Sequence, residues 1–264
     1  MEFDFQAGSL PILVSMPHAG TDLPADIAAR MNPCAALLAD TDWHLPRLYD
    51  FLAEMDVSTL AAHRSRYVID LNRPPEDTNL YPGMDTTGLC PLDTFARERL
   101  YGEGMAPYQA EVARRLELYW QPYHRQLNAE LERLLAIHGA VVLWEAHSIA
   151  SHVPRFFEGR LPDLNFGTAA GAASAPGLAQ AVLAQVPQQF TTALNGRFKG
   201  GYITRQYGQP ERGIHAIQLE MCQCLYMNEP GMDGAPFAYR PDLAEAIRPT
   251  LRAMIDAAVT WVRS

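Results

Sequence analysis

Residues 140–148 read AVVLWEAHS, and this stretch decides the fold because a short apolar run leads directly into chemically active side chains. The β-branched and aromatic residues of the run predict a β-strand over 140–145. The run contains Glu145, and His147 follows two residues later. Such a strand would bring a carboxylate and an imidazole to its carboxyl end.

Similar runs occur on both sides of this stretch, separated by segments with a helical pattern. Apolar or β-branched runs bounded by polar or turn residues predict further strands at 11–16, 56–62, 66–71 and 213–220. Apolar residues at helical spacing predict helices at 42–55, 104–137, 176–187 and 240–262. Strands that alternate with helices need crossover connections, so the sequence predicts an α/β fold with a parallel sheet covered on both faces. The small, glycine-rich residues 161–175 are predicted to form a loop inside a single domain that spans 1–264.

Composition excludes several classes of protein. The chain has 21 Lys and Arg residues against 30 Asp and Glu residues, a formal net charge of −9. A nucleic-acid-binding protein needs a basic surface, so no nucleic-acid partner is expected. With 48% hydrophobic residues, the chain can bury a sizeable core and is not disordered.

The cysteines and the first residues indicate the compartment. The four cysteines, Cys34, Cys90, Cys222 and Cys224, show neither a disulfide framework nor good zinc-ribbon spacing. The start, MEFDFQAGSL, is acidic and lacks the pattern of a secretory signal, and no stretch of 18 apolar residues occurs. We therefore expect a cytoplasmic protein with no membrane partner.

Titratable side chains follow three of the predicted strands. Ligands of open α/β sheets bind beyond the carboxyl ends of the strands, where His18, His147 and Glu220 stand. A lone histidine after a strand is commonly a turn or hydrogen-bonding residue. Two imidazoles and several carboxylates converging on one edge, however, suit a zinc site with an open position. Glu220 lies in a buried strand, where an unpaired carboxylate is costly, so a functional role is favoured.

A third ligand is available in the segment 40–44, which precedes a predicted amphipathic helix. Asp40 suits the N-cap position, where a carboxylate accepts backbone hydrogen bonds. Either Asp42 or His44 could then point toward the sheet edge and complete the metal site.

Two basic segments are candidates for anion binding. In the string Asp70-Leu71-Asn72-Arg73, the guanidinium can bind a carboxylate through two hydrogen bonds, or it can form a structural pair with the aspartate. Residues 195–201 (NGRFKGG), with Arg205 shortly after them, form a glycine-rich basic loop. This loop lacks the strand–GxxxxGK[ST]–helix context, so a nucleotide triphosphate site is disfavoured.

Six strings in order resemble the N-formylglutamate deformylase (amidohydrolase) family over nearly the whole chain. They are SMPHAGTDLP, DTDWHLPRLY, SRYVIDLNRP, EAHSIASHVPRFFEGRLPDLNFGT, NGRFKGGYITRQYG and GIHAIQLEMCQCLYM. The family is similar in fold to zinc carboxypeptidases, aspartoacylase and the zinc amidases of cell-wall peptides. The resemblance therefore implies a phosphorylase/hydrolase-like three-layer α/β/α sandwich around a mixed, mostly parallel sheet.

The resemblance also implies a zinc amidohydrolase that cleaves N-formyl-L-glutamate to formate and L-glutamate in histidine degradation. By position, His18 and His147 correspond to zinc ligands. The HxxE form of carboxypeptidases fails because Thr21 stands three residues after His18. Cell-wall amidases take a later carboxylate, so Asp42 is preferred as the second ligand over His44, Asp40 and Asp22. Glu220 corresponds to the general base.

The implied substrate is a small dicarboxylate. Asn72 and Arg73 match the DxNR element that holds a substrate carboxylate in aspartoacylase. Arg205 is assigned to the other carboxylate, with Arg66, Arg155 and Arg197 as competitors. Glu145 is either a partner that orients a ligand, or a surface or salt-bridged residue.

Several alternatives remain open at this stage. The protein could be a zinc deacylase of another acidic N-acyl amino acid, or a non-catalytic protein of the same fold that binds acidic ligands. Cobalt or manganese could replace zinc on nitrogen and oxygen ligands. The sequence does not reveal the oligomeric state.

Overall fold

A computed structural model describes residues 2–264 and is built around seven strands. They are β1 (Phe3–Gln6), β2 (Ile12–Met16), β3 (Ser58–Ala62), β4 (Val141–Ile149), β5 (Leu164–Gly167), β6 (Thr192–Leu194) and β7 (Ile214–Cys222). They form one sheet in the order β1-β3-β2-β4-β7-β5-β6. Strands β3, β2, β4 and β7 are mutually parallel, whereas β1 and β5 pair antiparallel with their inner neighbours. The carboxyl ends of β2, β4 and β7 therefore meet at one edge of the sheet.

The α-helices lie on both faces of this sheet. They are α1 (Ala25–Ala28), α2 (Leu45–Leu48), α3 (Gln109–Arg115), α4 (Gln121–His138), α5 (Leu178–Leu183), α6 (Tyr202–Tyr207) and α7 (Pro241–Val262). Successive strand residues point to opposite faces, so Leu143 packs with α4 in one core and Trp144 packs with α7 in the other. The predicted three-layer α/β/α sandwich around a mixed, mostly parallel sheet is confirmed.

Two sequence predictions of local structure are wrong. Residues 66–71 form turns and not a strand, because Val68 N–H bonds to Ser65 and Asp70 N–H bonds to Leu89 instead of to a strand. The predicted loop 161–175 contains β5, which pairs with β7. A glycine is required in β5 because a Cβ at Gly167 would lie 2.5 Å from the backbone nitrogen of Gly200.

Two predicted helices differ from the observed ones in length or form. The region 42–55 contains only α2 and a 3₁₀ turn at Asp50–Ala53. The long helix begins at Gln109, not at 104, and a π-helical turn at Leu116–Trp120 separates α3 from α4. Pro122 is the second residue of α4, within the first turn after the π-helical turn, where the absence of a backbone N–H donor is tolerated.

Two further observations concern the membrane and the cysteines. Within residues 2–264, no helix is both long and apolar enough to cross a membrane. Cys34, Cys90, Cys222 and Cys224 are all free thiols.

Candidate metal centre and substrate cleft

His18, Asp42 and His147 converge at the carboxyl edge of the sheet. His18 follows β2 by two residues, and His147 lies within β4, which is longer than the sequence predicts. The amide of Asp42 donates a hydrogen bond to the carbonyl of His18 (3.0 Å), and this bond holds the segment after the 3₁₀ turn Pro33–Leu37 against β2. All three side chains are buried.

The donor set and its spacing fit a divalent metal ion. The Nδ1 atoms of His18 and His147 lie 3.7 and 3.1 Å from the same oxygen, Oδ2 of Asp42. One donor atom from each residue lies within 4.8 Å of the other two. Zinc–nitrogen and zinc–oxygen bonds of roughly 2.0–2.2 Å give similar separations between neighbouring ligands. Two imidazoles and one carboxylate also leave a position open for a reactant.

A buried ion-pair network holds the first imidazole. His18 Nε2 lies 2.7 Å from Asp70 Oδ1, and Arg66 donates to Asp70 Oδ2 at 2.7 Å. Burial alone would raise the pKa of Asp70, but the charges of His18 and Arg66 outweigh it and hold that pKa well below its usual range. Asp70 therefore stays ionised and can accept the Nε2 proton, which leaves Nδ1 free to bind a metal.

The second imidazole also has a carboxylate behind it. His147 Nε2 lies 3.4 Å from Glu145 Oε1 and 3.1 Å from the Asn72 side-chain nitrogen. The Asn72 amide is oriented by Ile203, whose N–H donates to Asn72 Oδ1 (2.8 Å). The acceptor for a proton on His147 Nε2 is consequently Glu145, a fully buried side chain whose pKa is raised by burial.

Glu220 lies beside the three candidate ligands. It is paired in register with His147 across β4 and β7. Burial raises the pKa of Glu220 to about 8; the charge of His147 opposes this shift, and that of Asp42 adds to it. A glutamic acid poised near neutrality is suited to taking up and releasing a proton.

The competing ligand candidates lie elsewhere. His44 has a positive φ of 62°, and its Nε2 lies 2.7 Å from the carbonyl of Phe237. Asp40 accepts from the amide of Phe95 (2.9 Å) and does not cap a helix, because α2 begins only at Leu45. Asp22 is paired with Arg64. The structure therefore groups Asp42, and none of these three, with the two histidines.

A cleft of about 630 Å³, counted out to its mouth, opens onto these residues. Its lining includes His18, His147 and Glu220, three arginines (Arg66, Arg73 and Arg197), and the aromatic rings of Tyr81, Phe95, Phe156 and Phe198. Asn72 also lines it, but its amide is already engaged by Ile203 and His147. The cleft thus joins a candidate metal centre to a cationic, aromatic wall.

The arginines that line the cleft differ from those that the sequence suggests. Arg73 lines the cleft with its Nε 4.0 Å from Asp70 Oδ2. Arg205 is not among the lining residues: its Nε donates to the carbonyl of Gly200 (2.9 Å), and its guanidinium lies over Tyr81. Arg197, from the same basic loop, lines the cleft instead. Arg155 is paired with Asp85 and Asp93.

Sequence reasoning did not single out the individual aromatic residues of the wall. Tyr81 stands in an irregular segment, and Phe156 is one of two adjacent phenylalanines in the string SHVPRFFEGR. Neither position has a periodic pattern that would reveal its contact with the cleft. Arg197 was visible only as one of several cations in a glycine-rich loop.

A mixed α/β sheet whose carboxyl edge carries two histidines, an aspartate and a glutamate of raised pKa is the arrangement of an α/β enzyme with a candidate metal centre. The model of the N-formylglutamate amidohydrolase family matches residues 10–227. The chain belongs to this family. Membership confirms the predicted enzyme class, a hydrolase acting on an amide bond.

Individual proteins support the assignment. The chain is 53% identical to an N-formylglutamate deformylase of Pseudomonas aeruginosa over 262 residues, which cover 98% of this chain and 96% of the relative. It is 48% identical to an N-formylglutamate deformylase of Pseudomonas putida, with 97% and 95% covered. The structure of an N-formylglutamate amidohydrolase from Ralstonia eutropha JMP134 is similar at a TM-score of 0.80 and 25% identity, with 99% and 98% covered.

Proposed function

We propose that this protein is a zinc-dependent N-formylglutamate deformylase that releases formate and L-glutamate in histidine degradation. The observation that carries the proposal is the pairing of Glu220 with His147, which puts a proton-exchanging carboxyl next to the three candidate ligands. The two curated relatives at 53% and 48% identity bear this name. We place the activity in the reducing cytoplasm, a compartment that suits four free thiols.

His18 and His147, through Nδ1, and Asp42, through a carboxylate oxygen, would hold the zinc ion. Bound zinc supplies Lewis acidity, which polarises a carbonyl oxygen and makes water more acidic. Nitrogen and oxygen donors favour zinc, although cobalt or manganese fit the same set.

Glu220 performs the proton transfers. Its carboxylate takes a proton from the attacking water as the new C–O bond forms at the formyl carbon. The same carboxyl then gives that proton to the amide nitrogen as the C–N bond breaks, which releases the amine of glutamate. Arg66 lines the cleft beside His18, and its buried positive charge favours the oxyanion that develops between these two steps.

The cleft suits a small dicarboxylate. N-formylglutamate is a dianion at neutral pH, and the protein as a whole has a net charge of −9. Positive charge must therefore be concentrated locally, which Arg66, Arg73 and Arg197 do around one cleft. Low-dielectric walls strengthen such a local field, so the overall negative charge does not prevent binding.

The test begins with the purified protein, stripped with a chelator and reloaded with one metal at a time. Formate release is measured on N-formyl-L-glutamate, N-formyl-L-aspartate and N-acetyl-L-glutamate. We expect about one zinc per chain, as three ligands hold a single ion, and the highest kcat/KM on N-formyl-L-glutamate. A preference for another substrate would indicate a related deacylase, and binding without formate release in every metal form would indicate a non-catalytic binding protein.

A further inference from the structure

Arg197 differs from the other two arginines of the cleft in having no acidic partner. Arg66 is bound to Asp70 at 2.7 Å, and Arg73 lies 4.0 Å from the same carboxylate. No carboxylate lies within 4.0 Å of the Arg197 guanidinium among residues 2–264. Asp85 is hydrogen-bonded to Arg197 through its backbone carbonyl, while its carboxylate is paired with Arg97 and Arg155.

The guanidinium of Arg197 is nevertheless held in place. Its Nε donates to the carbonyl of Phe156 at 2.8 Å, and Nη2 reaches the carbonyl of Asp85 at 3.4 Å. Three rings surround it, with the guanidinium carbon 5.4 Å from the centroid of Tyr81, 5.3 Å from Phe156 and 5.4 Å from Phe198. We call these three rings the aromatic collar.

This arrangement leaves part of the guanidinium unused. A guanidinium has five N–H bonds, and those on Nε and one on Nη2 are directed at backbone carbonyls. The Nη1 edge retains the fork geometry that matches a carboxylate. Burial lowers the pKa of Arg197; the charge of Arg73 adds to that effect, and Tyr81, Asp85 and Glu220 oppose it. The site therefore holds a partly desolvated cation that an anion would stabilise.

Arg73 and Arg197 stand on different parts of the cleft wall. Arg73 is linked to the candidate metal centre through Asp70 and His18. Arg197 lies on the wall formed by the basic loop and Phe156. In an N-formyl amino acid, the α-carboxylate is attached to the carbon next to the amide nitrogen, whereas a side-chain carboxylate is farther from the scissile bond.

We propose that Arg197, held by the aromatic collar, binds the side-chain carboxylate of the substrate and determines the selectivity for an acidic side chain, while Arg73 binds the α-carboxylate. This inference rests on the proposed function and deepens it. It assigns the second carboxylate to a residue that contacts the cleft and not to Arg205, whose guanidinium is engaged outside it.

The experiment compares N-formyl-L-glutamate with its uncharged isostere N-formyl-L-glutamine in the wild type, Arg197→Gln, Arg197→Lys and Arg73→Gln. In Arg197→Gln, kcat/KM on the glutamate substrate should fall about 10- to 100-fold, the range for a hydrogen-bonded charge pair. On the glutamine substrate it should stay within about twofold, as after a neutral surface change. Arg197→Lys should recover part of the selectivity. Arg73→Gln should lower kcat/KM on both substrates.

The matched control is Lys199→Gln, which removes a positive charge two residues away in the same loop. Lys199 is exposed, and it is the only lysine of the sequence. We expect Lys199→Gln to discriminate between the glutamate and glutamine substrates as the wild type does. A loss in Lys199→Gln as large as in Arg197→Gln would assign the effect to the general field of the loop and overturn the proposal.

Two further results would also overturn it. Equal losses of kcat/KM on both substrates in Arg197→Gln would show that the residue only supports the wall of the cleft. A loss on the glutamate substrate alone in Arg73→Gln would mean that Arg73, and not Arg197, binds the side-chain carboxylate. A binding readout that needs no turnover is the thermal upshift by L-glutamate relative to L-glutamine, which Arg197→Gln should abolish. If the wild type fails to hydrolyse N-formyl-L-glutamate, the proposed function fails by itself, and this binding difference still decides the role of Arg197.

Discussion

His147 and Glu220 occupy paired positions on the neighbouring parallel strands β4 and β7. In a parallel sheet, residues in register point to the same face, so the candidate ligand and the candidate base approach the cleft side by side. Both stand on long, buried central strands, which hold side chains more precisely than loops do. The sheet itself therefore sets the relative position of the candidate ligand His147 and the candidate base Glu220.

Replacing Glu220 by Gln should remove turnover and leave metal binding intact. The amide has nearly the same shape but cannot take a proton, and loss of a general base costs about 10²- to 10⁴-fold in rate. Steady-state kcat on N-formyl-L-glutamate and zinc content after dialysis check the two parts. Glu211→Gln, an exposed site, is the matched control. Undiminished kcat in Glu220→Gln would refute the assignment of the base.

The metal content of two variants can decide whether Asp42 or His44 is the ligand. Asp42 contributes one of three donor atoms within 4.8 Å, whereas His44 is bound to the carbonyl of Phe237. We expect Asp42→Ala to lose stoichiometric zinc on dialysis and His44→Gln to retain it. Elemental analysis of both variants decides the question. Retention of zinc by Asp42→Ala would refute Asp42 as the ligand, and its loss from His44→Gln alone would assign the ligand to the histidine.

The central strands could be predicted because their signal is local. Strands β2, β4 and β7 are rich in apolar residues, and the titratable side chains at their carboxyl ends could be located together with these strands. The edge strands could not. Strand β1 is largely exposed and pairs with β3, some 60 residues away, as in Phe3↔Ala62. Such pairing depends on the distant partner and leaves little pattern in the edge strand itself.

The candidate site was partly predictable for the same reason. Histidines at strand ends are visible in sequence, and the structure brings His18 and His147 together with Asp42. The sequence could not show which of the two side chains, Arg197 or Arg205, faces the cleft. Arg197 lies within the glycine-rich segment 195–201 and Arg205 follows it. The path of the backbone, with Gly200 at a φ of 109°, decides which guanidinium faces the cleft.

Glu145 should act as a positioning residue for His147. Its carboxylate lies 3.4 Å from Nε2 of that histidine and also accepts from Ser15 at 3.1 Å. Carboxylates behind metal-binding imidazoles are worth about 10- to 100-fold in metal affinity. We therefore expect Glu145→Gln to weaken zinc binding by about that factor, measured by competition with a chromophoric chelator.

The control for Glu145 is a second buried glutamate outside the cleft. Glu229 accepts from the backbone of Ser151 and Cys224, both at 2.8 Å. Glu229→Gln should lower thermal stability with no change in zinc affinity. An equal zinc affinity in Glu145→Gln and the wild type would show that the carboxylate does not orient the ligand.

The buried His124 should make the stability of the protein depend on pH, independently of the candidate metal centre. Burial lowers its pKa to about 3, although its Nε2 hydrogen bond to the carbonyl of Leu71 (2.9 Å) opposes the shift. In the unfolded chain the pKa is about 6.5, so between these values the unfolded state binds one more proton than the folded state. Stability is therefore complete above pH 6.5 and is lost as the pH falls below it. From pH 7.5 to 5.5 the wild type should lose about 1.4 kcal/mol through this residue.

The contribution of His124 is measured by denaturant unfolding of the wild type and of His124→Gln at both pH values. A chelator is present in each experiment so that metal release does not contribute. The glutamine amide can still donate to Leu71 but cannot titrate, so the variant should lose about 1.4 kcal/mol less than the wild type between the two pH values. Trp120, stacked on the imidazole with ring centroids 3.6 Å apart, provides a fluorescence signal for unfolding in both proteins. Equal losses in the two proteins would mean that His124 is already protonated in the folded state at pH 5.5, contrary to its burial between Leu71 and Tyr207.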